Sequence, residues 1–352
     1  MRAAAAVAVP TYADHPERMM PTGAGLFTLS PIDHRRMKVA TGATTPRRVS
    51  LTVPERWDRI DGAGPGPFVT REIYRRPDGR LVTWTSRSQR KQHSLLDTGR
   101  GSTWWAPGAI GWWIGVLFAI GSTCFALGAA PRYVDAVGVA ADSVTFFVGS
   151  LFFTTAAALQ YLEVVNASRT PPGAEATESR RLVTWEPHRI DWWAALVQLA
   201  GTLLFNVSTF DAMLQHLSAS QANRLVWTPD ALGSVCFLVA SGLAWAEVSH
   251  ALWSWRPHSL SWLITALNLL GSIAFGASAV ASYVVPASDQ PRNATMMNLG
   301  TFVGAIAFLI AAVLLLPERT HGDTDPDGAL GDEPARGSRP RLETGEQTTE
   351  VP

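Results

Sequence analysis

The sequence has few charged residues and few cysteines, and both shortages narrow the class of protein. Charged side chains make up 16% of the 352 residues and are sparse between residues 109 and 317. The two cysteines, Cys124 and Cys236, fall inside apolar runs, where packing is expected of them and a disulfide is not. A phosphate-binding glycine loop, a nucleophile elbow, a zinc-ligand spacing and a haem motif are all missing. The sequence therefore gives no support for an enzyme, and neither a cofactor nor a nucleic-acid partner is expected.

The chain has instead six apolar runs of about 20 residues, each long enough to cross a hydrocarbon core of roughly 30 Å as a helix. Glycine, serine and alanine are abundant inside these runs, which suits close contact between helices in lipid. The sequence therefore predicts an all-α integral membrane protein whose first partner is the lipid bilayer. We place the spans at residues 109–129, 143–165, 192–210, 231–250, 261–285 and 296–316.

Polar regions flank this membrane domain, which we place at residues 103–320. Residues 1–50 are low in complexity and residues 321–352 are rich in Gly, Pro, Asp and Thr, so we expect both to be disordered. Residues 51–102 form an N-terminal segment in which alternating runs at 68–74 and 81–86 flank a Pro-Asp-Gly turn, which predicts a β-hairpin. The basic stretch that follows, with Arg87, Arg90 and Lys91, is either a solvated linker or a site for anionic lipid.

The distribution of arginine and tryptophan predicts the orientation in the membrane. Each of the three outer connections holds one arginine, Arg132, Arg224 or Arg292, whereas most of the other basic residues near the spans lie on the opposite side. The tryptophans at the helix ends gather on that opposite side too, as in an interfacial aromatic belt. We therefore expect a multi-pass protein of the cell membrane with both termini in the cytoplasm.

An internal repeat is the strongest pattern in the sequence. A Trp-x-Pro motif precedes the first helix of each of three hairpins, and a further tryptophan stands five residues after its proline. A glycine follows this second tryptophan at the ninth position. A phenylalanine follows that glycine at the fourth position, and the second helix of each hairpin repeats the Gly-to-Phe spacing. The repeats span 103–168, 183–252 and 253–320, and their shared residues are Trp112, Gly121, Phe125, Gly149 and Phe153; Trp192, Gly201, Phe205, Gly233 and Phe237; and Trp262, Gly271, Phe275, Gly304 and Phe308.

Two structural expectations follow from this repeat. Since each repeat has an even number of helices, the copies are parallel, and the sequence predicts pseudo-threefold symmetry about the membrane normal. At 1.5 Å per residue, Gly121 lies ~13 Å from the interface and Phe153 ~15 Å. Each phenylalanine should therefore pack against the glycine of its partner helix.

A glutamate stands ten residues after the second phenylalanine of each repeat: Glu163, Glu247 and Glu318. His250 and His321 follow two of them at the third position, a Glu-x-x-His spacing that is used by metal sites in helix bundles. Two interpretations are open. These groups either end the spans in interfacial water, or they form a metal or proton-linked site; we assign no metal ligand on this pattern alone.

The repeat unit resembles the YrhK-like family of small bacterial membrane domains, each built on one two-helix hairpin. The residues that carry the resemblance are the aromatic pair Trp192-Trp193 with Trp262, and the segments 201–205, 271–275 and 304–308. The resemblance implies a fold and a membrane location, and no activity.

Two classes of function remain for a protein of this kind. One is a non-enzymatic membrane scaffold or sensor, whose N-terminal segment engages a lipid or an unknown protein partner. The other is a carrier of small solutes, metal ions or protons that uses the Glu and His groups.

Overall fold

Six long helices dominate the computed structural model, which describes residues 53–92, 104–168, 181–214 and 217–318. Each helix is long and apolar enough to cross a membrane, which confirms the expected number of candidate spans. The regions predicted to be disordered, 1–50 and 321–352, lie outside the described residues. The six helices are α2 (Ile110–Gly128), α4 (Val139–Val165), α5 (Ile190–Asp211), α6 (Ala219–Ser249), α7 (Leu260–Ser282) and α8 (Ala294–Glu318).

Some helices begin earlier than their apolar runs do. Helix α6 begins at Ala219 rather than at residue 231, because Ser218 and Gln221 form a capping box and a π-helical turn at Ala222–Trp227 leads into the apolar segment. The outer connections also contain short elements that the sequence analysis did not identify. These are helix α3 (Pro131–Val137) and the strand pair β4 (Val284–Val285) and β5 (Gln290–Pro291).

The six long helices form a closed ring. Each helix packs against the next long helix in the chain, and α8 packs against α2 to close the circle. Large apolar side chains such as Leu127, Val235 and Ile273 are exposed on the outside, where lipid would cover them. Small polar residues such as Ser122 and Thr202 are fully buried between the helices. The ring therefore has its apolar bulk outside and its close contacts inside, as expected for a bundle in lipid.

Six phenylalanine rings fill the centre of the ring of helices as two stacked triangles. In the first triangle the centroids of Phe125, Phe205 and Phe275 lie 5.9–6.3 Å apart. In the second triangle those of Phe153, Phe237 and Phe308 lie 6.0–6.4 Å apart. Neighbouring rings of the two triangles are 5.0–5.4 Å apart, within the range of favourable aromatic contacts.

Each of these rings lies against a glycine of the neighbouring helix. A Cβ atom placed on Gly149 would lie 2.9 Å from the ring of Phe125, and one placed on Gly121 would lie 3.1 Å from that of Phe153. The helix pairs α5–α6 and α7–α8 make the same reciprocal contacts, with Cβ-to-ring distances of 2.6–3.5 Å. Because no side chain fits between backbone and ring, glycine permits the close approach that gives these helices their dispersion contacts.

A second contact recurs at the starts of α2, α5 and α7. The indole N–H groups of Trp112, Trp192 and Trp262 each donate to the carbonyl oxygen eight residues earlier, at 3.0–3.1 Å. Each of these indoles also meets the tryptophan of its Trp-x-Pro motif edge to face. The motif thus closes a short loop against the first turn of α2, α5 and α7, so the same side chains fix three helix starts.

The N-terminal segment forms a three-stranded antiparallel sheet, not the two-stranded hairpin expected from the sequence. The predicted pair is present as β2 (Arg71–Arg75) and β3 (Leu81–Thr85), with Gly79 in the turn at a φ of 82°. Strand β1 (Asp58–Ala63) pairs with β2 through a bulged register. No sequence pattern predicted this strand, because its six residues, Asp-Arg-Ile-Asp-Gly-Ala, include few apolar side chains. Helix α1 (Ser86–Gln92) follows β3 without a break.

We predict that Gly304→Ala destabilises the protein while Gly276→Ala does not. A Cβ on Gly304 would lie 2.6 Å from the Phe275 ring, whereas one on Gly276 meets nothing within 4 Å. Overpacking should cost about 1–3 kcal/mol, and the control should gain helix propensity. Thermal unfolding in detergent measures both, and the cost should fall in a Gly304→Ala/Phe275→Leu double variant. Equal melting temperatures for the two single variants would contradict the packing argument.

Candidate functional site

Four carboxylates lie at one end of the ring of helices, and all of them are buried. Glu163, Glu247 and Glu318 stand in the last turns of α4, α6 and α8, with exposed fractions of 1%, 2% and 5%. Asp191, in the first turn of α5, is 2% exposed. We call these four residues the carboxylate cluster. The interpretation that the glutamates end the spans in interfacial water is wrong, because these groups are removed from solvent.

Helix α1 covers the cluster with cationic side chains. The backbone N–H of Ser86 donates to the Thr70 carbonyl at 3.0 Å, which ties the start of this helix to the sheet. Arg87, Arg90 and Lys91 are spaced so that they share one face of a helix, and this face is turned toward the bundle. The exposed fractions of the two arginines are 9% and 4%. The basic stretch is therefore a docked helix and not a solvated linker.

Arg90 lies at the centre of this contact. One of its Nη atoms is 3.0 Å from both Asp191 Oδ2 and Glu247 Oε1, and the other is 3.2 Å from Glu247 Oε2. Its Nε lies 3.9 Å from Glu163 Oε2. Burial by itself would lower the pKa of Arg90, but the charges of Glu247, Asp191 and Glu163 outweigh it and raise this pKa above its usual value. A single guanidinium therefore joins three of the six long helices.

The other two cations complete the network. Arg87 donates from Nε to Glu318 Oε1 at 2.7 Å, and its Nη2 lies 2.6 Å from the same oxygen. Lys91 Nζ is 3.3 Å from Glu163 Oε2 and 3.8 Å from Glu318 Oε2. Each glutamate of the cluster therefore faces at least one cation of α1. Because a buried carboxylate without a counter-charge is costly, α1 makes the burial of this cluster possible.

Neutral hydroxyl groups support the same carboxylates. Ser86 donates to Glu247 Oε1 at 2.6 Å, and Ser261, at the start of α7, donates to Glu318 Oε1 at 2.9 Å. These bonds hold the carboxylate oxygens in place on both the α1 side and the bundle side of the cluster.

The sequence analysis missed Asp191, which belongs to this cluster. In the aligned repeats its position is taken by Gly111 and Ser261, so no pattern of three drew attention to it. Besides Arg90 it binds Arg189, whose Nε lies 3.0 Å from Asp191 Oδ1. The available signal was an acidic residue directly before a predicted membrane span, a position at which a buried charge needs a partner.

The histidines do not join the glutamates. Helix α6 ends at Ser249, and His250 has a left-handed backbone with φ of 51°, so the Glu-x-x-His spacing does not place both groups on one helical face. His250 Nδ1 lies 2.8 Å from Thr70 Oγ1 of the sheet. His188 and His258 are exposed, and His321 lies outside the described residues. Within the described ranges, no group of three or more His, Cys, Asp or Glu residues is arranged to hold a metal ion.

A cavity of about 60 Å³ lies between α1 and the two triangles of phenylalanine rings, and we call it the chamber. Arg90, Asp191 and Glu247 border it on the α1 side, and three phenylalanines of one triangle, Phe153, Phe237 and Phe308, border it on the other. Its walls carry the amide side chains of Gln160, Gln198 and Asn268 among apolar residues.

No protein-family model, curated protein or solved structure matches this chain. The geometry of the carboxylate cluster, α1 and the chamber is therefore the basis of the functional argument.

We predict that Arg90→Gln loosens the N-terminal segment, because it leaves Glu247 and Asp191 short of a buried counter-charge. Breaking such a pair costs about 3 kcal/mol, so amide protection in 71–92 should fall by about two orders of magnitude in hydrogen–deuterium exchange. Arg80→Gln is the matched control, since Arg80 is exposed. Its Nε lies 3.9 Å from Asp78 Oδ2, so the variant removes a charge from an exposed ion pair instead of a buried one. Equal exchange in the two variants would show that Arg90 does not hold the segment.

Proposed function

We propose that this chain is a non-enzymatic sensor or scaffold of the cell membrane, in which the docking of α1 on the carboxylate cluster sets the state of the protein. The observation that carries the proposal is the match of charges. Four buried carboxylates of the membrane domain meet three cations from one short helix of the N-terminal segment.

A purely structural role explains this network poorly. Burying charges costs desolvation energy that ion pairing barely repays, so a well-packed apolar contact would hold α1 at least as firmly. What ion pairs add is specificity and a response to a ligand that competes for the same charged groups. A charged contact between two parts of a chain is therefore suited to a docked state that can be released.

In the released state, the three cations of α1 would face the membrane surface. Arg87, Arg90 and Lys91 would then be available to anionic lipid, the partner that the basic stretch suggests. The docked helix directs the same charges at the chain's own carboxylates. Lipid and carboxylate cluster are thus alternative partners of one helix.

The architecture that we propose is three tandem hairpins with pseudo-threefold symmetry, each similar to a YrhK-like domain. Its support is the recurrence of two contacts at aligned positions, the indole hydrogen bond and the reciprocal Gly–Phe packing. In such an arrangement the symmetry axis passes through the phenylalanine triangles and the chamber.

We further propose that the carboxylate cluster lies at the cytoplasmic face. The arginine and tryptophan bias of the sequence supports this orientation, and the exposed indoles of Trp105, Trp185 and Trp255 lie at that end of the bundle.

The orientation predicts opposite labelling of two engineered cysteines in a Cys124→Ala/Cys236→Ala background. Asp78→Cys lies in the turn of the sheet, and Asp289→Cys in the connection between α7 and α8, at the other end of the bundle. In intact cells an impermeant maleimide should label only the cysteine at 289, and after permeabilisation both. Labelling of the cysteine at 78 alone in intact cells would reverse the proposed orientation.

Docking itself is tested by exchanging the charges of one pair. In the same background, spin labels at positions 78 and 258, both exposed, report the distance between the sheet and the bundle. We expect Arg87→Glu or Glu318→Arg alone to lower the ratio of docked to undocked molecules about a hundredfold, since each places like charges together. The double exchange should restore a narrow distance distribution.

The control for this exchange is Arg80→Glu, which changes the charge of the segment by the same amount at an exposed position. A narrow distribution in all variants would show that the ion pairs do not determine docking. A double variant as broad as either single variant would show that charge matching is not the cause.

A carrier of small solutes is the second candidate, and the chamber favours it. Its borders are closed on one side by three phenylalanine rings and on the other by the ion pairs of α1. Transport would need both closures to open, whereas a sensor needs only the release of α1. For this reason we place the sensor first.

A further inference from the structure

The chamber contains polar groups that the protein itself does not use. Among the described residues, the side-chain amides of Gln160, Gln198 and Asn268 make no hydrogen bond to protein, although all three border the chamber within membrane-spanning helices. An unpaired amide at this depth costs free energy unless water or a ligand meets it. Three of them around one cavity therefore point to a polar occupant.

The remaining walls favour an occupant with an apolar middle part. Ile114, Ile264 and Leu315 border the chamber beside the rings of Phe153 and Phe308. Methylene groups would find dispersion contacts on these side chains, and the aromatic rings attract a nearby cation. A volume of about 60 Å³ holds about four water molecules, which corresponds to a short chain of heavy atoms.

The mouth of the chamber selects for positive charge. Asp191 and Glu247 border it there, and the guanidinium of Arg90 occupies the space between them. Once α1 is released, the part of the chain that the structure describes leaves one cation against the four carboxylates, the guanidinium of Arg189 beside Asp191. The mouth then has a net negative charge in a medium of low dielectric constant, which attracts cations.

We propose that the mouth and the chamber together form a binding site for a linear aliphatic diamine that competes with α1. One ammonium group takes the position of the Arg90 guanidinium between Asp191 and Glu247. The methylene chain lies against the isoleucines, and the second ammonium group donates to the amide oxygens of Gln198 and Asn268 near the phenylalanine rings. The proposal rests on the release of α1 described above, and it makes a diamine the signal that drives this release.

The diamine fits the site better than a metal ion does. Within the described part of the chain, no group of three or more His, Cys, Asp or Glu residues could hold a metal. Asp191 and Glu247 are instead bound to one guanidinium, which spreads its charge over two Nη atoms and donates a hydrogen bond to both carboxylates. An alkylammonium group makes hydrogen bonds of the same kind.

The experiment measures diamine binding by calorimetry, with the full chain in nanodiscs of phosphatidylcholine so that the lipid does not bind the amine. The probes are putrescine, n-butylamine, which lacks the second ammonium group, and 1,4-butanediol, which lacks both. We expect putrescine to bind at least tenfold more tightly than either control. Arg90→Gln should strengthen putrescine binding about tenfold, because it removes the cation that competes for the position between Asp191 and Glu247. Arg80→Gln should leave binding unchanged.

Two variants separate the diamine site from the docking of α1. Gln198→Leu should weaken putrescine binding about tenfold while the spin-label distance between positions 78 and 258 stays that of the docked state. In wild-type protein, putrescine should shift this distance toward the released state, and sodium chloride or magnesium chloride at equal ionic strength should not.

The outcomes are distinguishable. If α1 docks through its charges but putrescine binds neither to wild type nor to Arg90→Gln, the diamine site is overturned and the docking proposal stands. Equal binding of putrescine and n-butylamine would overturn the role of the chamber. If the spin-label distance is broad in wild type and in every charge variant, the docking proposal itself fails.

Discussion

The structure depends on the neutralisation of buried negative charge. Four helices carry a carboxylate into the end of the bundle, and none of these groups could stay ionised there without a partner. Helix α1 supplies three cations at the spacing of one helical face, and Arg90 alone reaches carboxylates on α4, α5 and α6. The position of the N-terminal sheet, the closure of the chamber and the burial of the glutamates all follow from this contact. A change in any of its charges therefore acts on several elements at once.

Deeper in the bundle, close packing of side chains holds the helices together instead of ion pairs. Lipid gives apolar helices no hydrophobic reason to associate, so close packing must supply the attraction. Six phenylalanine rings meet on the axis, and each lies against a glycine that lets the neighbouring helix approach. Close packing therefore holds the centre of the bundle together, whereas ion pairs hold the mouth.

The sequence predicted most of the membrane domain and little of the site's construction. The length of each apolar run predicts a long helix, and the Gly and Phe spacings predict which side chains of neighbouring helices lie at the same height in the bundle. Both predictions depend on the rise per residue of a helix. Neither the burial of Glu163, Glu247 and Glu318 nor the role of Arg87, Arg90 and Lys91 could be predicted in this way. Their pairing joins residues more than 70 positions apart, and no local pattern encodes it. The Glu-x-x-His spacing wrongly placed His250 on the same helical face as Glu247, because the helix ends one residue before His250.

The residues at which α2, α5 and α7 differ are also those that give the site its chemistry. At the position of Asp191 in α5, the other two helices have Gly111 and Ser261, and each of these smaller residues lies beside the carboxylate of a glutamate. Seven residues, or about two helical turns, further along their helices, Gln198 and Asn268 border the chamber, and Phe118 stands at the aligned position of α2. The shared positions build the bundle, because the same Gly–Phe contact packs each of the three helix pairs. The unshared positions make the mouth and the chamber asymmetric, and only an asymmetric site can orient a ligand whose two ends meet different groups.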